Sequence, residues 1–257
     1  MYKPKKHKKN KSFLKNQIFS WLVLFLIFLA GIFYLFCFSS VFQIKKIEIL
    51  GSQKVFQQEI QNMIKSQIKK KIIFWKTESI FFQNFKETNK LLLEKIPAIE
   101  EIVFKRNLPD NLTVKIVEKK AIGKYYARNG QYYSLDKNGV IFEIAEPEQD
   151  DLIVSSRDPI SVNLGQKVLK KENLEMILKI QNKIEKDLKI DIKEFVVESE
   201  KLTVKISEEW EVYFPLEEIN LCLTKLQLLL EKAIASEKRK NLEYIDLRFT
   251  KAYYKYK

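Results

Sequence analysis

Histidine is almost missing from this chain: His7 is the single one in 257 residues. Cysteine is nearly as scarce, with only Cys37 and Cys222. Zinc sites draw on several His and Cys ligands, and nucleophilic triads need a base beside the Ser or Cys. One histidine inside a lysine-rich start leaves no such cluster further along. Glycine numbers six, too few for a glycine-rich phosphate loop, and none is present. Acidic pairs stand at Glu100-Glu101, Asp150-Asp151 and Glu217-Glu218, but in a chain that is 31% charged they read as solvated faces and not as acid/base machinery. The expectation is no catalytic residue, no metal ligand and no cofactor.

Charge itself is missing between Lys15 and Lys45. The run from Ile18 to Phe42 is almost continuously apolar, with Trp21, Leu24, Phe28 and Phe33 spaced along it. A helix rises about 1.5 Å per residue, so roughly 20 residues cross a hydrocarbon layer of roughly 30 Å. A transmembrane helix over residues 17–40 is therefore expected, with those four residues as membrane anchor. A buried core helix would be shorter and carry polar residues on one face. A signal peptide would have a core of about 7–15 residues followed by small ones, whereas here Phe36, Cys37 and Phe38 follow. With Cys37 inside the span, Cys222 has no intramolecular partner, and burial must hold the rest together.

The formal charge is +13, and residues 1–16 contribute seven lysines and no acid, which leaves +6 for the remaining 241 residues. By the positive-inside bias residues 1–16 are a basic cytoplasmic tail and everything after the span lies outside. Such a tail also suits anionic lipid or nucleic acid. Its role in topology is the simpler reading, and no nucleic-acid partner is expected.

Beyond the span, Ile44, Ile47 and Ile49 predict a strand that ends at Gly51. Val55, Ile60, Ile64 and Ile68 recur at helical spacing, Ile72 to Trp75 form a short apolar patch, and Phe81, Phe85, Thr88, Leu92 and Ile96 predict a second helix stopped by Pro97. Ile102 and Phe104, then Leu112, Val114 and Ile116, flank the turn-rich Asn107-Leu108-Pro109-Asp110-Asn111 and predict a hairpin. Two Asn-Gly pairs, Asn129-Gly130 and Asn138-Gly139, separate three apolar runs and predict three antiparallel strands. Residues 146–165 read mostly as loop. Leu174, Ile177, Ile184 and Leu188 mark a helix, and Leu202 to Phe214 a hairpin across Ser207-Glu208-Glu209. A long helix follows from Leu216 to Ala233, with Lys238, Arg239 and Lys240 closing its negative end. Tyr244 to Phe249 is the last strand, trailed by tyrosines and lysines. The fold class is α+β, with one N-terminal transmembrane helix.

A strand at a sheet border offers unpaired N–H and C=O groups to another chain. Lys251, Lys255 and Lys257 would favour an acidic partner there, or simply protect the border from aggregation. Residue types alone leave the two readings level.

The segments Ile47-Glu48-Ile49-Leu50-Gly51, Leu93 to Ile99, Val103 to Leu112, Val114 to Glu118, and the Ile245-Asp246-Leu247-Arg248 core resemble the bacterial cell-division FtsQ/DivIB family. The resemblance implies a β-α-α-β-β POTRA domain over residues 42–119. It implies a second, mostly antiparallel β domain with packed helices over residues 120–257. It implies a non-enzymatic, single-pass type II protein of the cell (cytoplasmic/inner) membrane at the division septum, bridging early cytoplasmic division proteins and septal wall synthesis. Its partners would be FtsB/DivIC-like and FtsL-like division proteins and other divisome components, bound by strand addition through Leu247, Arg248, Phe249, Lys251 and Tyr253. A POTRA-bearing component of protein translocation or envelope assembly is the alternative. A membrane-tethered wall enzyme is a third reading, which lacks its catalytic cluster.

Overall fold

The computed structural model describes residues 11–52, 57–68, 70–72, 75–148, 150–158 and 162–257, with backbone alone for 11–16, 70–72 and 75. Most of the lysine-rich start with His7, the expected helix residue Val55, Ile73-Phe74 of the apolar patch, and residues 149 and 159–161 of the expected loop lie outside the described residues. The chain divides into two compact units, residues 1–92 with 101–117, and residues 93–100 with 118–257.

The first unit begins with α1, Lys11–Phe38. Its segment Gln17–Phe38 has 22 residues and a mean hydropathy of 2.7, long and apolar enough to cross a membrane. Trp21, Leu24, Phe28 and Phe33 all lie on this helix with exposed side chains. The helix stops at Phe38, so Val41 and Phe42 lie beyond it.

Next come β1 (Lys46–Leu50) and α2 (Gln57–Ile68), then the short β2 (Lys70–Ile72) and β3 (Trp75–Thr77). They are followed by α3 (Phe85–Lys95), β4 (Ile99–Asn107) and β5 (Asn111–Glu118). In α2 the isoleucines recur every fourth position, and Ile60, Ile64 and Ile68 are all buried on one stripe. The strand order is β1-β5-β4, with β1 parallel to β5 and Ile47 opposite Leu112. Gly51 follows β1 at φ +86°, and a Cβ there would lie 2.3 Å from the Ile116 carbonyl oxygen, so the close approach requires glycine.

Ile72 and Trp75, at the two ends of the apolar patch, face each other in the antiparallel β2-β3 pair. One expectation is corrected in this unit. Phe81 sits in a turn ahead of α3, not on that helix.

The second unit carries β6 (Gly123–Tyr126), β7 (Tyr132–Leu135), β8 (Ile141–Ala145), β9 (Ile153–Ser156) and α4 (Lys171–Gln181). A wider turn, Asn182–Asp187, extends α4. Then come β10 (Ile192–Val197), β11 (Leu202–Ile206), β12 (Glu211–Phe214), α5 (Ile219–Lys232), a 3-10 turn (Ser236–Asn241), β13 (Leu242–Asp246) and β14 (Tyr253–Tyr256). Nine strands form one sheet in the order β14-β13-β12-β11-β10-β9-β6-β7-β8. Leu174, Ile177 and Ile180 of α4 and Leu223, Leu226 and Leu230 of α5 share a core with Val204, Phe214 and Ile245 of the sheet. The α+β class with a large, mainly antiparallel sheet is as expected; the β9–β10, β6–β9 and β12–β13 pairs are parallel.

Here the sequence reading also needs correction. The described part of residues 146–165 is mostly loop as expected, but it also holds β9, which runs between β6 and β10 with Val154 buried and was not foreseen. Ile153-Val154 beside Asp150-Asp151 is too brief an apolar run to announce a strand. Strand β10 is a second element that the sequence reading did not register. Helix α5 starts at Ile219, which leaves Leu216 outside it, and Ala233 is exposed. Lys238, Arg239 and Lys240 lie in the separate 3-10 turn. Arg239 alone is seen to reach back, donating from Nη2 to the Leu230 carbonyl at 3.2 Å.

Candidate functional site

The border of the nine-stranded sheet at β13-β14 is built by an interrupted alternation. A register shift between Leu242 and Tyr244 lets Leu242 and Ile245, three positions apart, both enter the core. Tyr244 is left on the outer face, stacked on Tyr213 of β12 with ring centroids 5.4 Å apart. Asp246 is the register neighbour of Tyr213.

Immediately after β13 the chain bends, and this brings Arg248 back onto Asp246. The Arg248 guanidinium donates from Nε to Oδ1 at 2.9 Å and from Nη2 to Oδ2 at 2.6 Å, and the Arg248 backbone N–H adds a third bond at 3.1 Å. Asp246 keeps 8% of its side chain exposed and Arg248 35%. The guanidinium also lies over Tyr213 and Phe249, 5.6 Å from each ring, while Lys201 covers Tyr213 at 4.1 Å. Burial by itself pushes the Asp246 carboxyl up, yet its bonds to Arg248 and the nearby positive charges hold it below the ordinary value. Burial and the neighbouring Glu211 carboxylate push the Tyr213 hydroxyl well up, and it donates to Glu211 at 2.9 Å.

The five residues expected to meet a partner are distributed unevenly over this border. Leu247 is buried at 1%, its N–H bonded to the Tyr213 carbonyl at 2.9 Å. Arg248 is half-exposed, with its donor fork engaged by Asp246. Phe249 is 55% exposed and Tyr253 54%, in edge-to-face contact at 5.8 Å. Lys251 is exposed in the turn between the strands. Phe249, with Leu221 and Pro215, also lines an open groove of about 550 Å³ beside the start of α5.

All four residues of β14 are exposed. The Lys257 N–H points inward to the Asn241 carbonyl at 2.8 Å. Alternation along a strand then directs the N–H and C=O of Tyr254 and Tyr256 outward. The opposite border differs: at β8, Ile141 exchanges bonds with Gly165 (2.8 Å) and Gln166 (3.0 Å) of a covering loop. Tyr213, Tyr254 and Asp246 were missed by sequence reasoning. The interleaved tyrosines of residues 253–256 were the available signal for the strand, but the Asp246 clamp gave none.

No group of three or more His, Cys, Asp or Glu able to hold a metal occurs among the described residues. A search of curated proteins gives no match. Residues 125–248 match the family model described as cell division protein FtsQ/DivIB, C-terminal, a stretch that runs from β6 through β13 and ends at Arg248. Behind an N-terminal helix long and apolar enough to cross a membrane, residues 125–248 thus belong to the C-terminal domain family of the cell-division proteins FtsQ/DivIB.

Proposed function

We propose that this protein is a non-enzymatic scaffold of the divisome that works by lending the outer border of β14 to a strand of an FtsB/DivIC-like partner accompanied by an FtsL-like one. Residues 1–16 lie in the cytoplasm, α1 crosses the inner membrane once, and both folded units stand outside at the septum. Residues 42–119 act as a POTRA domain that helps recruitment, and residues 120–257 form the FtsQ-type β domain. In this way the chain connects early cytoplasmic division proteins with septal wall synthesis.

One observation carries the reading: β14 is the terminal strand of its sheet and exposed along its whole length. Main-chain pairing supplies affinity in strand addition, and flanking pockets supply specificity. Phe249 and Tyr253 are exposed aromatic residues, a type that anchors interfaces, and the groove beside Phe249 offers room for an apolar side chain. Lys255 pairs with Glu243 at 2.6 Å and Lys257 with Glu209 at 3.7 Å. Exposed pairs of this kind contribute about 0–1 kcal/mol, so an acidic partner strand can take over these lysines at small cost.

The test is photo-crosslinking in growing cells, with benzoylphenylalanine at Tyr254 or Tyr256 and, as control, at Lys115 in the first unit. The expected product is an adduct with a small FtsB/DivIC-like membrane protein from the two β14 positions and not from Lys115. Recovery of the chain without any adduct at either β14 position refutes the proposal.

A further inference from the structure

The outer end of α1 does not lead into a free linker. The Ser79 hydroxyl donates to the Phe36 carbonyl at 2.6 Å. Thr77 Oγ1 donates to the Cys37 carbonyl, which also accepts from Gln43 Nε2 at 3.1 Å. The Leu35 carbonyl accepts the Ser39 N–H at 3.1 Å. Carbonyls at a helix end need such donors, all the more where water is scarce. Residues 42–44 are then stitched to 78–80 by Ile44 N–H to Glu78 and Ile80 N–H to Phe42 (3.1 and 2.9 Å). Thr77, Ser79, Ile80 and Cys37 are all buried. This part of the first unit is therefore fixed to the helix.

Aromatic rings continue the attachment downward along α1. Phe81 touches Phe36 and Phe42 at 5.1 and 5.3 Å, and Phe82 touches Phe33 at 6.0 Å. Phe33 lies five residues before the helix end, about 7.5 Å below it. The apolar segment of 22 residues is about 33 Å long, only about 3 Å more than the hydrocarbon layer it would fill. Phe33 accordingly lies about 4 Å or more inside the hydrocarbon, and a ring centred 6.0 Å from it cannot rise more than about 2 Å above the boundary. That height is still within the interfacial layer, where aromatic side chains are favoured. Phe81 keeps 37% of its surface exposed beside the helix, and nothing in the second unit is needed to place it there.

We propose that the turn from Ser79 to Phe82 is a second membrane contact, with the Phe81 and Phe82 rings sunk among the lipids of the outer face beside the span. The occupant of this apolar surface is the bilayer itself, because the patch is continuous with the lipid-facing rings of α1. The proposal rests on reading α1 as a membrane span, and the test separates the two. The full-length protein is placed in phosphatidylethanolamine/phosphatidylglycerol vesicles with one spin label at Phe81→Cys, Phe82→Cys, Phe28→Cys or Lys65→Cys, both native cysteines being buried. Collision with oxygen, which partitions into lipid, is compared with collision with an aqueous nickel complex.

The oxygen-to-nickel ratio at Phe81 and Phe82 is expected to approach that at Phe28 and to exceed that at Lys65 several-fold. Labels at 81 and 82 behaving like Lys65 while Phe28 stays lipid-exposed would overturn the second contact alone. A nickel-accessible Phe28 would overturn the span and the contact together. Should labelling disturb the turn, a Phe81→Trp chain gives the same decision: the added emission is expected to be quenched by brominated acyl chains, and quenching by aqueous acrylamide alone refutes the contact.

Discussion

Arg248→Ala is expected to destabilise the second unit by an amount toward the lower end of about 1–3 kcal/mol, the cost of leaving a buried acceptor without its donors. The carboxylate of Asp246 is the reason, since 8% of its side chain reaches solvent and its two oxygens would lose both guanidinium donors at once. Arg248, itself 35% exposed, leaves some access to water, which is why the lower end applies. Each kcal/mol moves the midpoint of a unit of this size by about 2–4 °C, so thermal unfolding followed by circular dichroism resolves the effect. Restoring much of the loss by adding Asp246→Asn would identify the stranded charge, and not lost packing, as the cause.

The pH dependence has a definite sign. Arg248 holds the Asp246 carboxyl below its ordinary value, so the native state binds its proton less readily than the unfolded chain does. The stabilisation is therefore complete above the ordinary carboxylate range, about pH 4, and is lost as pH falls through the depressed native value. Wild type and Arg248→Ala should converge as the solution is made more acid than about pH 4. An equal gap at pH 3 and pH 7 would rule out this assignment.

Tyr254→Pro is expected to weaken capture of the proposed partner strand by about fivefold to more than a hundredfold while leaving the fold unchanged. The Lys257 N–H to Asn241 bond sets the alternation, and it turns the Tyr254 N–H away from β13. Proline is tolerated on a sheet border where its nitrogen faces solvent. A partner carbonyl left without its donor costs about 1–3 kcal/mol, and each 1.4 kcal/mol is about tenfold in affinity. Tyr253→Pro is the companion variant, whose nitrogen faces β13, and it should instead damage β14 itself. Co-purification of the partner, with the melting midpoint as the folding control, distinguishes them; undiminished capture by Tyr254→Pro would remove strand addition at this border.

Local periodicity carries far in this chain. Ile60, Ile64 and Ile68 announce α2 because each side chain is buried on the same stripe, and Gly130 and Gly139, at φ +80° and +77°, occupy the hairpin turns that their Asn-Gly pairs foretell. What stays hidden depends on distant pairing. Strand β9 has four residues and becomes central only because β6 and β10 lie on either side of it. Phe81 has helical spacing with Phe85, but its ring is claimed by Phe36 and Phe42, which come from the end of α1 and the chain just after it.

The border residues show the same division. Arg248 and Phe249 look alike as exposed interface types, yet Arg248 is engaged because the chain bends right after Asp246 and returns the guanidinium to a carboxylate two positions back. Leu247, read beside them, fills the core.

The hydroxyl and amide grips on the Phe36 and Cys37 carbonyls couple helix phase to heading. An α-helix turns about 100° per residue, so a single alanine inserted between Phe28 and Phe33 would turn the folded remainder of the first unit by about 100° about the helix axis and shift it by about 1.5 Å relative to the start of α1. A flexible hinge would absorb that twist; this joint passes it on, so the phase of α1 sets the direction in which the rest of its own unit faces.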